Sequence, residues 1–114
     1  MKNLDYAFKP KRVAIIGASP DSKKIGHQVI KNIIDGGYEG EIIPIHPSAP
    51  DVLGHKAYKS LNDVPEGVDL AVICIPAHLV MQCMEECGRR KVGAVALITS
   101  GFGEVGKMDE ELKL

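Results

Sequence analysis

The chain has 114 residues, 45% of them hydrophobic and 25% charged, with a net charge of −1. That suffices for one compact domain with a modest core, and the near-neutral balance leaves no global basic field for nucleic acid or an anionic membrane. No apolar run reaches bilayer-spanning length and Met1-Lys2-Asn3-Leu4-Asp5 is too polar to begin a secretory signal, so the cytoplasm is the expected compartment. Residues 1–11 read as a lead-in arm, with Tyr6 and Phe8 available to pack on a single domain over residues 12–114.

Residues 12–17 form an apolar, β-branched run that predicts a strand buried on both faces. It ends at once in Gly17-Ala18-Ser19. Lys24-Ile25-Gly26 then opens a segment in which Ile25, Val29, Ile33 and Ile34 recur at helical spacing, and Gly36-Gly37 stops it. A buried strand, a glycine turn and a helix start make a cradle for phosphate. Backbone N–H groups point outward there and the helix dipole favours an anion.

Glu41-Ile42-Ile43-Pro44-Ile45 predicts a second strand, with Pro44 marking an edge or a strand end. Residues 55–58 predict a short third strand, and residues 60–65 no more than a helical turn. Residues 69–75 predict a strong apolar strand closed by Pro76. Leu79, Val80, Cys83, Met84 and Cys87 repeat with helical period. Gly88 lies near that helix end, where Arg89, Arg90 and Lys91 complement the negative pole. Ala94-Val95-Ala96-Leu97-Ile98 predicts the next strand, followed by Thr99-Ser100-Gly101-Phe102-Gly103. Val105, Met108 and Leu112 mark the start of a last helix.

Strand–helix alternation with all-apolar strands predicts an α/β fold: a Rossmann-like, doubly wound, mainly parallel sheet in a single domain. Crossovers in such a sheet are right-handed, and ligands bind beyond the carboxyl ends of the strands. Four predicted strand ends carry unusual residues, namely Gly17-Ala18-Ser19, His46-Pro47-Ser48, Pro76-Ala77-His78 and Thr99-Ser100-Gly101. They are expected to meet at one crevice.

The identity of the phosphorylated ligand turns on what is missing. A dinucleotide fingerprint needs Gly-x-Gly-x-x-Gly and an acid at the end of the second strand. Here Ser19 takes the second glycine position, and His46-Pro47 stands where the acid belongs. A Walker loop is absent as well. Lys23 and Lys24 instead flank the cradle, which suits a ligand with more phosphate charge, including one on the ribose. As plain solvated loop charges they would need no ligand at all. The three cysteines point to no chemistry. Cys74 lies within an apolar strand, and Leu79, Cys83 and Cys87 read as one apolar helix stripe rather than metal ligands.

These pieces, in this order, resemble the CoA-binding domain of the NDP-forming acyl-CoA synthetases. That superfamily includes ADP-forming acetyl-CoA synthetase, the succinyl-CoA synthetase α subunit and protein lysine acetyltransferases built on the same module. The likeness rests on Val13-Ala14-Ile15-Ile16-Gly17-Ala18-Ser19, Lys24-Ile25-Gly26, Gly36-Gly37-Tyr38-Glu39-Gly40 and Pro44-Ile45-His46-Pro47. It continues through Gly54, Ala57-Tyr58, Val64-Pro65, Val68-Asp69-Leu70-Ala71-Val72-Ile73, Pro76-Ala77 and Ser100-Gly101-Phe102-Gly103-Glu104. His46 departs from the family's usual asparagine, and Ser48 stands where many relatives place a lysine.

The resemblance implies coenzyme A, or an acyl-CoA, as the ligand. Gly17, Ala18 and Ser19 would bind phosphate through backbone N–H groups and the hydroxyl. Lys24, with Lys23 beside it, would pair with a phosphate, and Ile25-Gly26 would bring the helix start close. His46 and Pro47 would line the adenine and ribose side. Ile75, Pro76 and Ala77 would flank the pantetheine arm, and Ile98, Ser100 and Gly101 would sit near the thiol. The parent would be an acid–thiol ligase, with further synthetase domains or a β-type ATP-grasp subunit as partners, and self-association stays open. Neither nucleic acid nor membrane is implied.

No catalytic residue is assigned. The family's phosphohistidine belongs to a later domain, and His27, His46, His55 and His78 do not match its context. The family's domain usually continues with a helix and a strand ending in Gly-Pro-Asn. The stop at Leu114 therefore suggests a truncated domain with apolar surface exposed near its end. The alternatives are a stand-alone regulatory CoA-binding protein, the CoA-binding part of a lysine acetyltransferase and, least favoured, a fragment of an NAD(P)-dependent oxidoreductase.

Overall fold

The computed structural model describes residues 10–65 and 67–98. The packing of Tyr6 and Phe8, the Thr99–Gly103 turn with Ser100 and Gly101, and the last helix lie outside the described residues.

The chain runs β1 (Arg12–Ile16), α1 (Ile25–Asp35), β2 (Glu41–Ile45), β3 (Asp51–Val52), β4 (His55–Lys56), β5 (Leu70–Ile73), α2 (Val80–Arg89) and β6 (Ala94–Leu97). Single 3-10 turns lie at Leu61–Asp63 and Ala77–Leu79. Four strands form one parallel sheet in the order β2-β1-β5-β6. The chain winds outward from β1 to β2, returns to β5 on the other side of β1, and continues to β6. Its direction reverses between β1 and β5, and that reversal is where open α/β sheets leave a crevice.

Register fixes what lies at the crevice. Ile16 pairs with both Ile45 and Ile73, and Ile73 pairs with Leu97. The residues that follow, Gly17, His46, Cys74 and Ile98, therefore stand in one row along the carboxyl edge. Three of the four predicted strand ends meet there, and the fourth, Thr99-Ser100-Gly101, lies outside the described residues.

Alternation along each strand builds a core on both faces. Ala14, Ile16, Ile43, Ile45, Ala71 and Ile73 face α2 and the Leu61–Asp63 turn, against Cys87, Leu61 and Val64. Val13, Ile15, Ile42 and Val72 face α1, against Ile30 and Val52. Ile15, Ile30, Ile43 and Ile73 are fully buried. Each contributes about 1.5–3 kcal/mol of transfer free energy.

One expectation is amended. Residues 55–58 do not add a strand to the parallel sheet. His55–Lys56 instead pairs antiparallel with Asp51–Val52, and only Tyr58 bridges back to Ile45. Leu53 and Gly54 both take positive φ, 50° and 84°, as a two-residue hairpin turn of this hand requires. As expected, Gly88 lies near the end of α2, which runs to Arg89, and Lys91 takes the left-handed position at φ 56°. Arg90 donates from its guanidinium to the Val64 carbonyl rather than serving the helix pole alone. β6 is covered less than the inner strands, with Val95 37% and Leu97 42% exposed. Pro44 fits its edge strand, since its backbone faces away from β1 and its carbonyl accepts from Tyr58 N–H at 2.9 Å.

Candidate phosphate cradle at the carboxyl edge

A cavity of about 290 Å³ opens at the β1–β5 reversal. Its walls are Gly17, Ala18, Ser19, Lys24, Ile25 and Gly26 on one side and His46, Cys74, Ile75 and Pro76 on the other. No carboxylate lines it. Lys24 is the N-cap of α1, with no side-chain cap and no acid in the first turn. The first helical bond runs from Gln28 N–H to Lys24 C=O at 3.2 Å. The N–H groups of Ile25, Gly26 and His27 thus have no partner within the helix, a donor array suited to an anion.

The turn is held tightly. Gly17 lies at φ +92°, and a Cβ there would come 2.3 Å from the Cys74 carbonyl oxygen and 2.9 Å from Ile75 Cγ2. A Cβ on Gly26 would lie 2.0 Å from the Gly17 carbonyl oxygen. Two backbone seams, β1 to β5 and β1 to α1, close only because neither residue has a side chain. Ser19 Oγ accepts from Asp21 N–H at 3.0 Å, which leaves its own proton free. Asp21 Oδ1 accepts from Lys23 N–H at 2.9 Å. His27 Nδ1, 3.0 Å from the Ser19 carbonyl oxygen, must carry a proton to bond it, so the helix's third residue holds the loop.

Of the residues read from sequence, Gly17, Ala18, Ser19, Lys24, Ile25, Gly26, His46, Ile75 and Pro76 come together at this cavity. Lys23 is exposed in the loop, Pro47 is exposed beyond His46, and Ala77 opens an exposed 3-10 turn. Ile98 extends the β6 ladder, its N–H donating to Ile73 C=O at 2.8 Å, and packs on the α1 side. Cys74 and His27 were not singled out. Register against β1 marks the first as cavity floor. A histidine in the first turn of a helix is the only signal for the second.

Burial pushes the Cys74 thiol up to about 11, so it sits at the cavity as a neutral, apolar floor and not as a nucleophile. Among the described residues, no nucleophile on the cavity wall is hydrogen-bonded to a base. A second cavity of about 250 Å³ lies across Ile75, floored by Ile16 and Ile45 and edged by Lys59, Gln82 and Glu86. A larger one, about 580 Å³, lies at the opposite end of the strands around Val13, Tyr38 and Leu70. It is apolar and remote from the carboxyl edge where such sheets bind ligands.

Comparison with known proteins shows the family and the fold. The sequence family described as CoA binding domain matches residues 11–113. The chain belongs to that CoA-binding family. The α subunit of acetate–CoA ligase (ADP-forming) I of Pyrococcus furiosus is 43% identical over 97% of this chain and 25% of its own length. The 4-hydroxybutyrate–CoA ligase (ADP-forming) of Nitrosopumilus maritimus is 46% identical over 91% of this chain and 14% of its own. Among solved structures, the Ca. Korarchaeum cryptofilum acetyl-coenzyme A synthetase 1, in complex with phosphate and ADP, superposes with a TM-score of 0.83. It is 41% identical, covering 98% of this chain and 25% of that one. The CoA-binding chain thus spans a quarter or less of the length of these relatives. No described helix is long and apolar enough to cross a membrane.

Proposed function

We propose that this chain supplies the CoA-binding domain of an ADP-forming acyl-CoA synthetase, with CoA phosphate held at the Gly17–Ser19 turn and the start of α1. The carrying observation is the uncapped, acid-free N-terminus of α1, opening onto a cavity whose one cationic side chain is Lys24. His46 and Pro47 serve the adenine and ribose side. Ile75, Pro76 and Ala77 flank pantetheine, and Ile98, with Ser100 and Gly101, serves the thiol end. The two cavities that share Ile75 give an elongated ligand room along the carboxyl edge. Acid activation and phosphate transfer belong to the rest of the parent synthetase, in further domains or an ATP-grasp subunit. The relatives act on different acids, so this module recognises the shared CoA and not the acyl group.

Side-by-side calorimetric titration with CoA and NAD tests the reading. CoA is expected to bind and NAD to bind at least about tenfold more weakly, because no acid closes β2 to read a free ribose diol. NAD binding tighter than CoA overturns it.

A further inference from the structure

His46 stands at the carboxyl end of β2, where dinucleotide folds place an acid that accepts hydrogen bonds from the ribose diol. Its Nδ1 lies 3.0 Å from Ser48 N–H and 2.8 Å from Ala49 N–H. A backbone N–H can only donate, so Nδ1 must hold a lone pair toward both. Placing a proton on Nδ1 would break both bonds and set three donors against one another. The ring is therefore locked with its proton on Nε2. Among the described residues no protein group accepts from Nε2, and His46 lines the cavity.

We infer that His46 is a specificity residue: a tautomer-locked donor whose Nε2–H reads the phosphorylated ribose of CoA and discriminates against an unphosphorylated one. A ribose hydroxyl can also accept from a fixed N–H, but a charged phosphate oxygen accepts about twice as strongly, so the discrimination lies in the charge-assisted bond. The same ring does two jobs that an asparagine does with its two amide atoms. Nδ1 caps the His46–Ala49 turn as a carbonyl oxygen would, and Nε2–H faces the ligand as an amide N–H would. An aspartate at position 46 would keep the cap and present no donor.

The inference rests on the CoA reading above, and its test separates the two. CoA and 3′-dephospho-CoA are titrated against the wild type, His46→Asn and His46→Asp, with thermal unfolding in parallel. In the wild type CoA is expected to bind at least about tenfold tighter than 3′-dephospho-CoA, as for a hydrogen bond to a charged group. His46→Asn keeps that ratio within about threefold, and His46→Asp lowers it by about tenfold or more while 3′-dephospho-CoA still binds. Should His46→Asp fail to fold, His46→Ala reads the same ratio. Long-range ¹H–¹⁵N correlation of the free protein is expected to show Nδ1 unprotonated and Nε2 protonated. Equal affinities in the wild type, an unchanged ratio in His46→Asp, or a protonated Nδ1 each overturn this inference and leave CoA binding standing. A wild type that binds neither ligand overturns both.

Discussion

Gly26→Ala tests whether the cradle is set by packing. The added Cβ would lie 2.0 Å from the Gly17 carbonyl oxygen, 2.8 Å from its carbon and 2.9 Å from Ala18 Cα, where real contacts essentially never fall below 3.0 Å. All three neighbours are backbone atoms, so no side chain can swing away. The helix start must move off the turn by about 1 Å. Overpacking of this kind costs about 1–3 kcal/mol. The gain in helix propensity offsets about 1 kcal/mol of that. Net destabilisation of up to about 2 kcal/mol follows by urea unfolding. The same shift splays the N–H donors of α1 away from Gly17–Ser19, and losing one charge-assisted hydrogen bond weakens CoA by about tenfold or more in calorimetry. Gly88→Ala is the control. It sits within α2 with nothing within 4 Å of its added Cβ. It is expected to stabilise by about 0.5–1 kcal/mol with CoA affinity unchanged. A Gly26→Ala protein as stable as Gly88→Ala, with wild-type affinity, refutes the argument.

Lys24→Ala is expected to weaken CoA about tenfold, as for a charge-assisted contact. A smaller loss for 3′-dephospho-CoA assigns Lys24 to the ribose phosphate, equal losses assign it to the pyrophosphate, and no loss makes it a solvated charge. His27→Ala removes the bond to the Ser19 carbonyl, at a cost of about 0.5–1.5 kcal/mol, and should loosen CoA several-fold. Unchanged affinity in that variant means the turn holds without it. Stability should decline as pH rises above about 9. Burial, with the neighbouring Cys87 next, pushes the Cys83 thiol up to about 12 and burial pushes Cys74 up to about 11, against 9.0 for a free thiol. The unfolded chain therefore loses these protons first, so their contribution is full below the free-thiol value and fades toward the folded one. Melting temperatures between about pH 8 and pH 10 under reducing conditions check this, and a slope that Cys83→Ala does not flatten counts against it.

The sheet was legible because β1, β2 and β5 are buried on both faces, which leaves no polar alternation to confuse them with surface strands. What escaped the sequence is local. Leu53 in a left-handed conformation is no turn signal, so the hairpin at Asp51–Lys56 went unread. Gly88 does lie near the end of α2, but its position does not show how the chain leaves the helix. The left-handed exit falls at Lys91.

The site divides the same way. Its contiguous half, Gly17 to Gly26, was readable because strand, turn and helix start follow one another in the chain. Its other half arrives through register: Cys74 and Ile75 matter only because β5 lies beside β1. Lys23 and Lys24 are adjacent in sequence and indistinguishable there. Helix phase separates them, since Lys24 occupies the N-cap position of α1 at the cavity while Asp21 holds the backbone of Lys23 in the exposed loop. Gly17 invites the explanation that phosphate needs the space, but the atoms within reach of a Cβ are the Cys74 carbonyl and Ile75. Gly26 meets Gly17 itself. A side chain at either glycine opens the same junction from opposite sides, so the width of the cradle is set by how β1 packs on β5 and α1 before any ligand arrives.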